Sequence, residues 1–149
     1  MKIIYIDMDD TLCDYQAAYN NVKKQNPSIQ YPQSQPNFFL SLEPLANAID
    51  ALKFLLVNEQ FDPYILTAPS IQNPLSYTEK RLWVEKHLGM EYVERLIISS
   101  NKSLLKGDFL IDDYIEGKGQ ESFEGQLIHF ASKNYPDWNL IMSFLKSIG

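Results

Sequence analysis

The feature that most restricts the fold is a set of five short apolar runs spaced along 149 residues. They lie at 2–7 (KIIYID), 64–67 (YILT), 96–99 (LIIS), 109–112 (FLID) and 126–130 (QLIHF). Each is nearly continuous rather than alternating, as expected of strands buried on both faces of a parallel sheet. Helical patterns fall between them. Leu45, Ala48, Ile49, Leu52, Leu55 and Leu56 draw one apolar stripe over 44–59, with Ser41 and Pro44 as start signals. Tyr77, Arg81, Val84 and Leu88 share a helical spacing in a stretch beginning near Pro74 and stopped by Gly89. Trp138, Ile141, Met142 and Leu145 predict a terminal helix beginning near Pro136. Strand alternating with helix implies a doubly wound α/β fold: a five-stranded parallel sheet flanked by helices and joined by right-handed crossovers.

The length fits a single unit spanning 1–149. Residues 14–40 break the strand–helix rhythm. A polar helix candidate at 15–25 leads into NPSIQYPQSQPN, which reads as a short helical cap inserted after strand one, over the C-terminal edge of the sheet. The stretch EGKGQESFEG at 116–125 reads as a flexible turn between the last two strands.

Composition narrows the function. Thirteen basic against nineteen acidic residues leave a net charge of −6, which disfavours stable nucleic-acid binding and anionic membranes. The apolar runs fall far short of the ~20 residues a membrane span needs. The opening reaches Asp7 too soon for a signal peptide. Cys13 is the only cysteine, so no intramolecular disulfide can form and a cytoplasmic location is expected. A cysteine-phosphatase loop needs Arg six positions after its nucleophile; position 19 is Tyr, so Cys13 reads as a small buried residue. His87 and His129 are isolated and make no zinc site.

The strand ends carry the chemistry. Strand one ends in Asp7-Met8-Asp9-Asp10-Thr11, and strand four ends in Asp112-Asp113. Neighbouring strands would bring these carboxylates into one crevice, where they repel unless a hard divalent cation, best Mg²⁺, joins them. Strand two ends in Thr67-Ala68-Pro69-Ser70, supplying a hydroxyl and backbone N–H groups, and strand three is followed by Asn101-Lys102, supplying an ammonium. Acid pair, hydroxyl, lysine and acid pair in that order suit phosphoryl transfer. Taken singly, each piece has a plainer reading: a solvated turn for DMDDT, a cap for Asp112-Asp113, a surface charge for Lys102, and a self-bonded turn for Thr67.

This order, DMDDT at 7–11, Thr67, Lys102 and DD at 112–113, resembles the haloacid dehalogenase-like (HAD) phosphatases, a superfamily with a Rossmann-like sheet. The chain is similar in more detail to the 5′(3′)-deoxyribonucleotidases. The shared stretches are DMDDTLCDY, PNFFLSLEP at 36–44, ILTAP, YTEKRLWVEKHLG at 77–89 and VERLIISSNKSLLKGDFLIDD at 93–113. The resemblance implies a Mg²⁺-dependent phosphomonoesterase acting on nucleoside monophosphates through an aspartyl-phosphate. By motif position it implies Asp7 as nucleophile and Asp9 as acid/base, with Thr67, Ala68 and Lys102 around the phosphate. It implies a metal held by Asp7, the main-chain carbonyl of Asp9, and Asp113, with Asp112 beside it. Tyr15, Phe38 and Phe39 match aromatic positions of the substrate pocket, and Lys80 matches a lysine near the site. From its neighbours alone, Glu79 and Arg81, Lys80 reads as a surface charge, and the phenylalanines read as core. The chain departs from the animal enzymes in its shorter 14–37 interval, in Ser99 and Ser100 where an arginine precedes the lysine, in Ala68 for serine, and in Asp10 for glycine.

Other readings remain at this point. A phosphatase of the same superfamily with a broader or different substrate, such as other small phosphomonoesters or nucleic-acid ends, keeps the chemistry. A phospho-acceptor receiver domain would need an acid at the end of a middle strand, where Ser99-Ser100-Asn101 stands. A catalytically dead binding protein would have no need of all five polar positions. Oligomeric state is open, a homodimer included.

Overall fold

A computed structural model describes all of residues 1–149. Five strands form one parallel sheet: β1 (Lys2–Ile6), β2 (Phe61–Thr67), β3 (Leu96–Ile98), β4 (Phe109–Asp112) and β5 (Gln126–His129), in the order β3-β2-β1-β4-β5. The expected runs are therefore the strands, and β1 is central, paired on one side with β2 and on the other with β4. The register sets Ile6 opposite both Ile65 and Ile111, so Asp7, Thr67 and Asp112 lie at the same edge of the sheet. Five α-helices accompany the sheet: α1 (Tyr15–Gln25), α2 (Ala48–Val57), α3 (Leu75–Leu88), α4 (Met90–Val93) and α5 (Trp138–Ile148).

Strand β2 begins three residues before its expected start, and Pro63 lies inside it. The missing N–H costs no ladder bond. Pro63 faces the same side as Ile65, whose N–H goes to the Arg95 carbonyl, and β3 begins only opposite Ile65. The Pro63 carbonyl accepts from the Arg95 guanidinium instead.

Helix α2 starts later than its stripe predicts. Residues 44–47 tie down the loop after β1: Pro44 bridges to Cys13, and the Leu45 N–H goes to the Leu12 carbonyl at 2.8 Å. Asn47 then turns the chain in the left-handed region at φ +65°. Helix α3 ends as expected, with Gly89 at φ +87° donating its N–H to the Val84 and Glu85 carbonyls. Its buried face differs from the expected stripe. Tyr77 and Arg81 face solvent, while Ser76, Glu79, Lys80, Trp83 and Val84 are buried, because this helix packs on the polar site as well as on the core.

The two faces of the sheet are covered differently. Ile4 and Ile6 of β1 point into a cluster of 24 buried residues that takes side chains from α2, α3, α4 and α5. Tyr5 points the other way, with Leu66, Leu110 and Phe123, into a cluster of four. On that face the crossovers shrink to single 3-10 turns at Lys102–Leu104 and Gln120–Ser122. The 116–125 stretch, read from sequence as a flexible turn, is docked: the Lys102 N–H donates to the Lys118 carbonyl at 2.6 Å, and Gln120 is buried. Gly119 permits this close approach at φ +87°, where a Cβ would strike the Asn101 side chain. No helix is long and apolar enough to cross a membrane.

Candidate active site at the C-terminal edge of the sheet

All the strand-end groups meet. Lys102, buried at the start of its 3-10 turn, lies between Asp7 Oδ1 at 2.7 Å and Asp112 Oδ2 at 2.6 Å. Asp7, Asp112 and Asp113 each bring a carboxylate oxygen within 4.8 Å of the others. The Thr11 hydroxyl lies 3.3 Å from both Asp7 and Asp113, joining the ends of β1 and β4. Asp112 is engaged further by the Gln120 amide at 3.2 Å and the Tyr114 N–H at 3.0 Å. His129 Nε2 lies 2.9 Å from the Asp113 carbonyl oxygen, so this histidine orients backbone.

A second centre lies beside the first. Lys80 is fully buried and donates to Asp9 Oδ2 at 2.9 Å, Thr67 Oγ1 at 2.7 Å and the Ala68 carbonyl at 2.8 Å. The surface-charge reading of Lys80 is thereby corrected. Two strand ends, β1 and β2, converge on one position of α3, and their acceptors hold the ammonium there.

The electrostatics follow from burial and pairing. Burial alone would raise the Asp7 carboxyl, but the Lys102 charge and hydrogen bonds from Asp113 and Lys102 hold it below its usual value. Burial would lower Lys102, yet the charges of Asp7 and Asp112 keep it raised. Burial and the Asp7 charge push Asp113 up to about 9. Asp7 and Asp112 thus share one ammonium, and Asp113 close by is pushed towards its protonated form, which a divalent cation would oppose. An all-oxygen donor set with surplus negative charge fits a hard cation such as Mg²⁺.

A cleft of about 480 Å³ opens over both centres and reaches Asp7, Asp9, Thr67, Ala68, Lys102 and Asp112. Tyr15 and Tyr114 bring aromatic rings to it, and Phe39, 1% exposed, borders it from behind Tyr15. Phe38 does not line it: its ring packs edge-on against Tyr15 at 5.4 Å and borders a separate groove behind α1. The two phenylalanine rings pack edge to face with centroids 5.2 Å apart, and of the pair Phe39 is the one that borders the cleft. Cys13 is fully buried with its thiol pushed up by burial, as a packing residue should be. Asp10 sits at φ +59°, a conformation that suits glycine and that Asp tolerates, and its carboxylate receives the Gln16 N–H at 3.0 Å.

Sequence reasoning missed Thr11, Glu79, Gln120, Gln33, Tyr114 and Lys118. The last four border the cleft with Gln16 and the segment 69–72. Thr11 had a signal, since it closes the DMDDT motif; the others had none in their local pattern.

The family model described as 5′ nucleotidase, deoxy (Pyrimidine), cytosolic type C protein matches residues 23–136. A Vibrio phage KVP40 protein that bears the name 5′(3′)-deoxyribonucleotidase provisionally is 38% identical over 97% of this chain and 85% of its own length. The chain belongs to the 5′(3′)-deoxyribonucleotidase family. The human 5′(3′)-deoxyribonucleotidase, cytosolic type, is 41% identical over 58% of the chain and 43% of its own length. A provisionally assigned haloacid dehalogenase-like hydrolase from Burkholderia xenovorans LB400 overlays 95% of this chain and 87% of its own, with a TM-score of 0.48 and 15% identity.

Proposed function

We propose that the chain is a Mg²⁺-dependent phosphomonoesterase that dephosphorylates nucleoside monophosphates, deoxyribonucleotides foremost, through an aspartyl-phosphate on Asp7. The observation that carries the reading is the pairing of Asp7 with Lys102 and of Asp9 with Lys80 side by side in one cleft. Asp7 is the nucleophile. Its carboxylate oxygen bonds to phosphorus as the ester P–O bond breaks, and Asp9, protonated in the substrate complex where the phosphate charge offsets Lys80, gives that proton to the leaving oxygen, releasing the nucleoside. Asp9 then takes a proton from water, whose oxygen attacks phosphorus; inorganic phosphate leaves and Asp7 is restored.

Lys102 holds the Asp7 carboxylate in place and faces the incoming phosphate charge. Lys80 fixes Asp9 and the Thr67 hydroxyl relative to each other, which orients the proton donor towards the phosphate subsite. The carboxylates of Asp7 and Asp113, with the main-chain carbonyl of Asp9, would hold Mg²⁺; the ion, when bound, supplies charge neutralisation on the phosphoryl oxygens. Asp112 is the buried partner of Lys102 and stands beside that site. Residues 14–40, carried by α1 and the strap behind it, serve as the cap, and Tyr15, with Phe39 buried behind it, offers a flat surface to a base or sugar.

The test is phosphate release, with and without Mg²⁺, from 5′- and 3′-deoxy- and ribonucleoside monophosphates and from base-free sugar phosphates, with Asp7→Asn as the blank. Mg²⁺-dependent release favouring deoxynucleotides is expected. Equal or faster release from unrelated phosphomonoesters would keep the phosphatase chemistry and remove the nucleotide preference.

A further inference from the structure

The segment 14–40 leaves β1 and returns to the start of α2, yet its far end is pinned to a third element, α3. Just before that helix, Asn73 Nδ2 donates to the Gln33 carbonyl at 2.9 Å, and Asn73 is buried. Further along α3, Glu79 is 5% exposed and turned towards the strap. Its Oε2 accepts the Asn37 N–H at 3.0 Å; its Oε1 accepts the Phe39 N–H at 3.1 Å and the Leu40 N–H at 3.5 Å. Glu79 is not among the five ion pairs, so these three backbone donors are its partners. Asn37 adopts φ +67°, a conformation the chain takes here as its N–H turns to the carboxylate.

A buried carboxylate is a costly way to fill space, and an apolar side chain would pack this position of α3 at lower cost. What it supplies is direction. Backbone held at 37, 39 and 40 leaves the Phe39 side chain little freedom, and Phe39, itself 1% exposed, packs behind Tyr15 of the cleft with ring centroids 6.1 Å apart. Its ring centroid lies 5.0 Å from Lys80 Nζ, the ammonium that holds Asp9. Adjacent residues of one helix therefore hold the two halves of the cleft: Glu79 the aromatic wall, Lys80 the proton donor.

We propose that Glu79 is a positioning residue for substrate selectivity: by anchoring the strap backbone it fixes buried Phe39, and through it sets the distance between the Tyr15 wall that Phe39 backs and the reacting phosphate, and so favours phosphomonoesters carrying a planar base. This rests on the nucleotide reading above. The effect belongs to selectivity, because a displaced wall weakens contact with the base and leaves the phosphate groups in place.

The experiment compares kcat and KM for dTMP and for 2-deoxyribose 5-phosphate in wild type, Glu79→Gln and Glu79→Met, with melting curves of all three proteins. Glu79→Gln keeps one acceptor oxygen and sets an amide N–H₂ against the Asn37 N–H; Glu79→Met releases all three donors. The ratio of kcat/KM for dTMP to that for 2-deoxyribose 5-phosphate is expected to fall about 5-fold in the first and about 30-fold in the second, mainly through KM for dTMP. A residue that serves only to hold the fold would lower the melting temperature and leave the ratio alone. A high wild-type ratio that stays within two-fold in folded Glu79→Gln, the milder change, overturns the inference and spares the nucleotide reading. A wild-type ratio near one overturns that reading first, and the inference with it.

Discussion

Two buried lysines approach the cleft from different elements, and their partners differ. Lys102 comes from the turn after β3 and meets two carboxylates, with a third close by. Lys80 comes from α3 and meets one carboxylate, one hydroxyl and one carbonyl. The first centre carries surplus negative charge; the second is balanced. A buried charge cluster left uneven is costly, so its natural complement is a further cation. A balanced pair needs no addition and can hold one carboxylate still. The proposed division of labour follows: nucleophile and metal at the uneven centre, proton carrier at the balanced one.

Substitutions of the two acids test this division most severely. Asp7→Asn removes the nucleophile and should lower turnover by about 10⁴-fold or more with the fold intact. Wild-type turnover in that protein would refute the assignment. Asp9→Asn should cost about 10²- to 10⁴-fold, the range of general acid–base catalysis, and a fall below ten-fold would move the proton donor elsewhere. Replacing the lysines compares the centres directly. In metal-free protein, Lys102→Met strands two buried carboxylates and should destabilise by about 3–5 kcal/mol. Lys80→Met should cost about 1–3 kcal/mol, since the Asp9 side chain is 27% exposed and can take up water. Denaturant melts in EDTA that rank the two in reverse order would contradict the account.

The pH dependence sharpens the same contrast. Asp113 is raised in the folded protein, so its contribution to stability is present at low pH and fades as pH rises towards about 9. Asp7 is lowered, so its contribution is present above the ordinary carboxylate range and fades on acidification. Metal-free protein should lose melting temperature between about pH 5 and about pH 9, and Mg²⁺ should restore it by displacing the Asp113 proton. An alkaline limb that is flat without metal, or unmoved by Mg²⁺, would count against the shared site. The smallest effect is expected of Thr11→Val, about 1 kcal/mol, because both its bonds to the acids are 3.3 Å long. Its loss should be felt at the Asp7–Asp113 centre and leave the Lys80 centre unaltered, as a Mg²⁺ titration beside the dTMP selectivity ratio would show.

Legibility from sequence follows the reach of each interaction. The strands were readable because burial on both faces demands continuous apolar residues, and that demand is met within each run. Asp7, Asp9, Asp112 and Asp113 were readable because each follows such a run, and a parallel sheet delivers its strand ends to one edge. Helix α1 matched its expected limits because Asp14 caps it locally, accepting the Ala17 N–H at 3.0 Å. The start of α2 was misplaced because residues 44–47 bond to the loop after β1.

The sequence by itself determined the five strands, their parallel character and the acids at their ends, since local pattern and burial carry that information. Tertiary structure decided what the charged residues between them do. Glu79 and Lys80 stand in a polar helical stretch, and nothing nearby in the chain marks them as buried. Their partners are Asn37, Phe39 and Leu40 on one side, and Asp9, Thr67 and Ala68 on the other. A charge can be buried only where compensating groups converge, and that convergence exists only once the sheet, the strap and α3 have packed together.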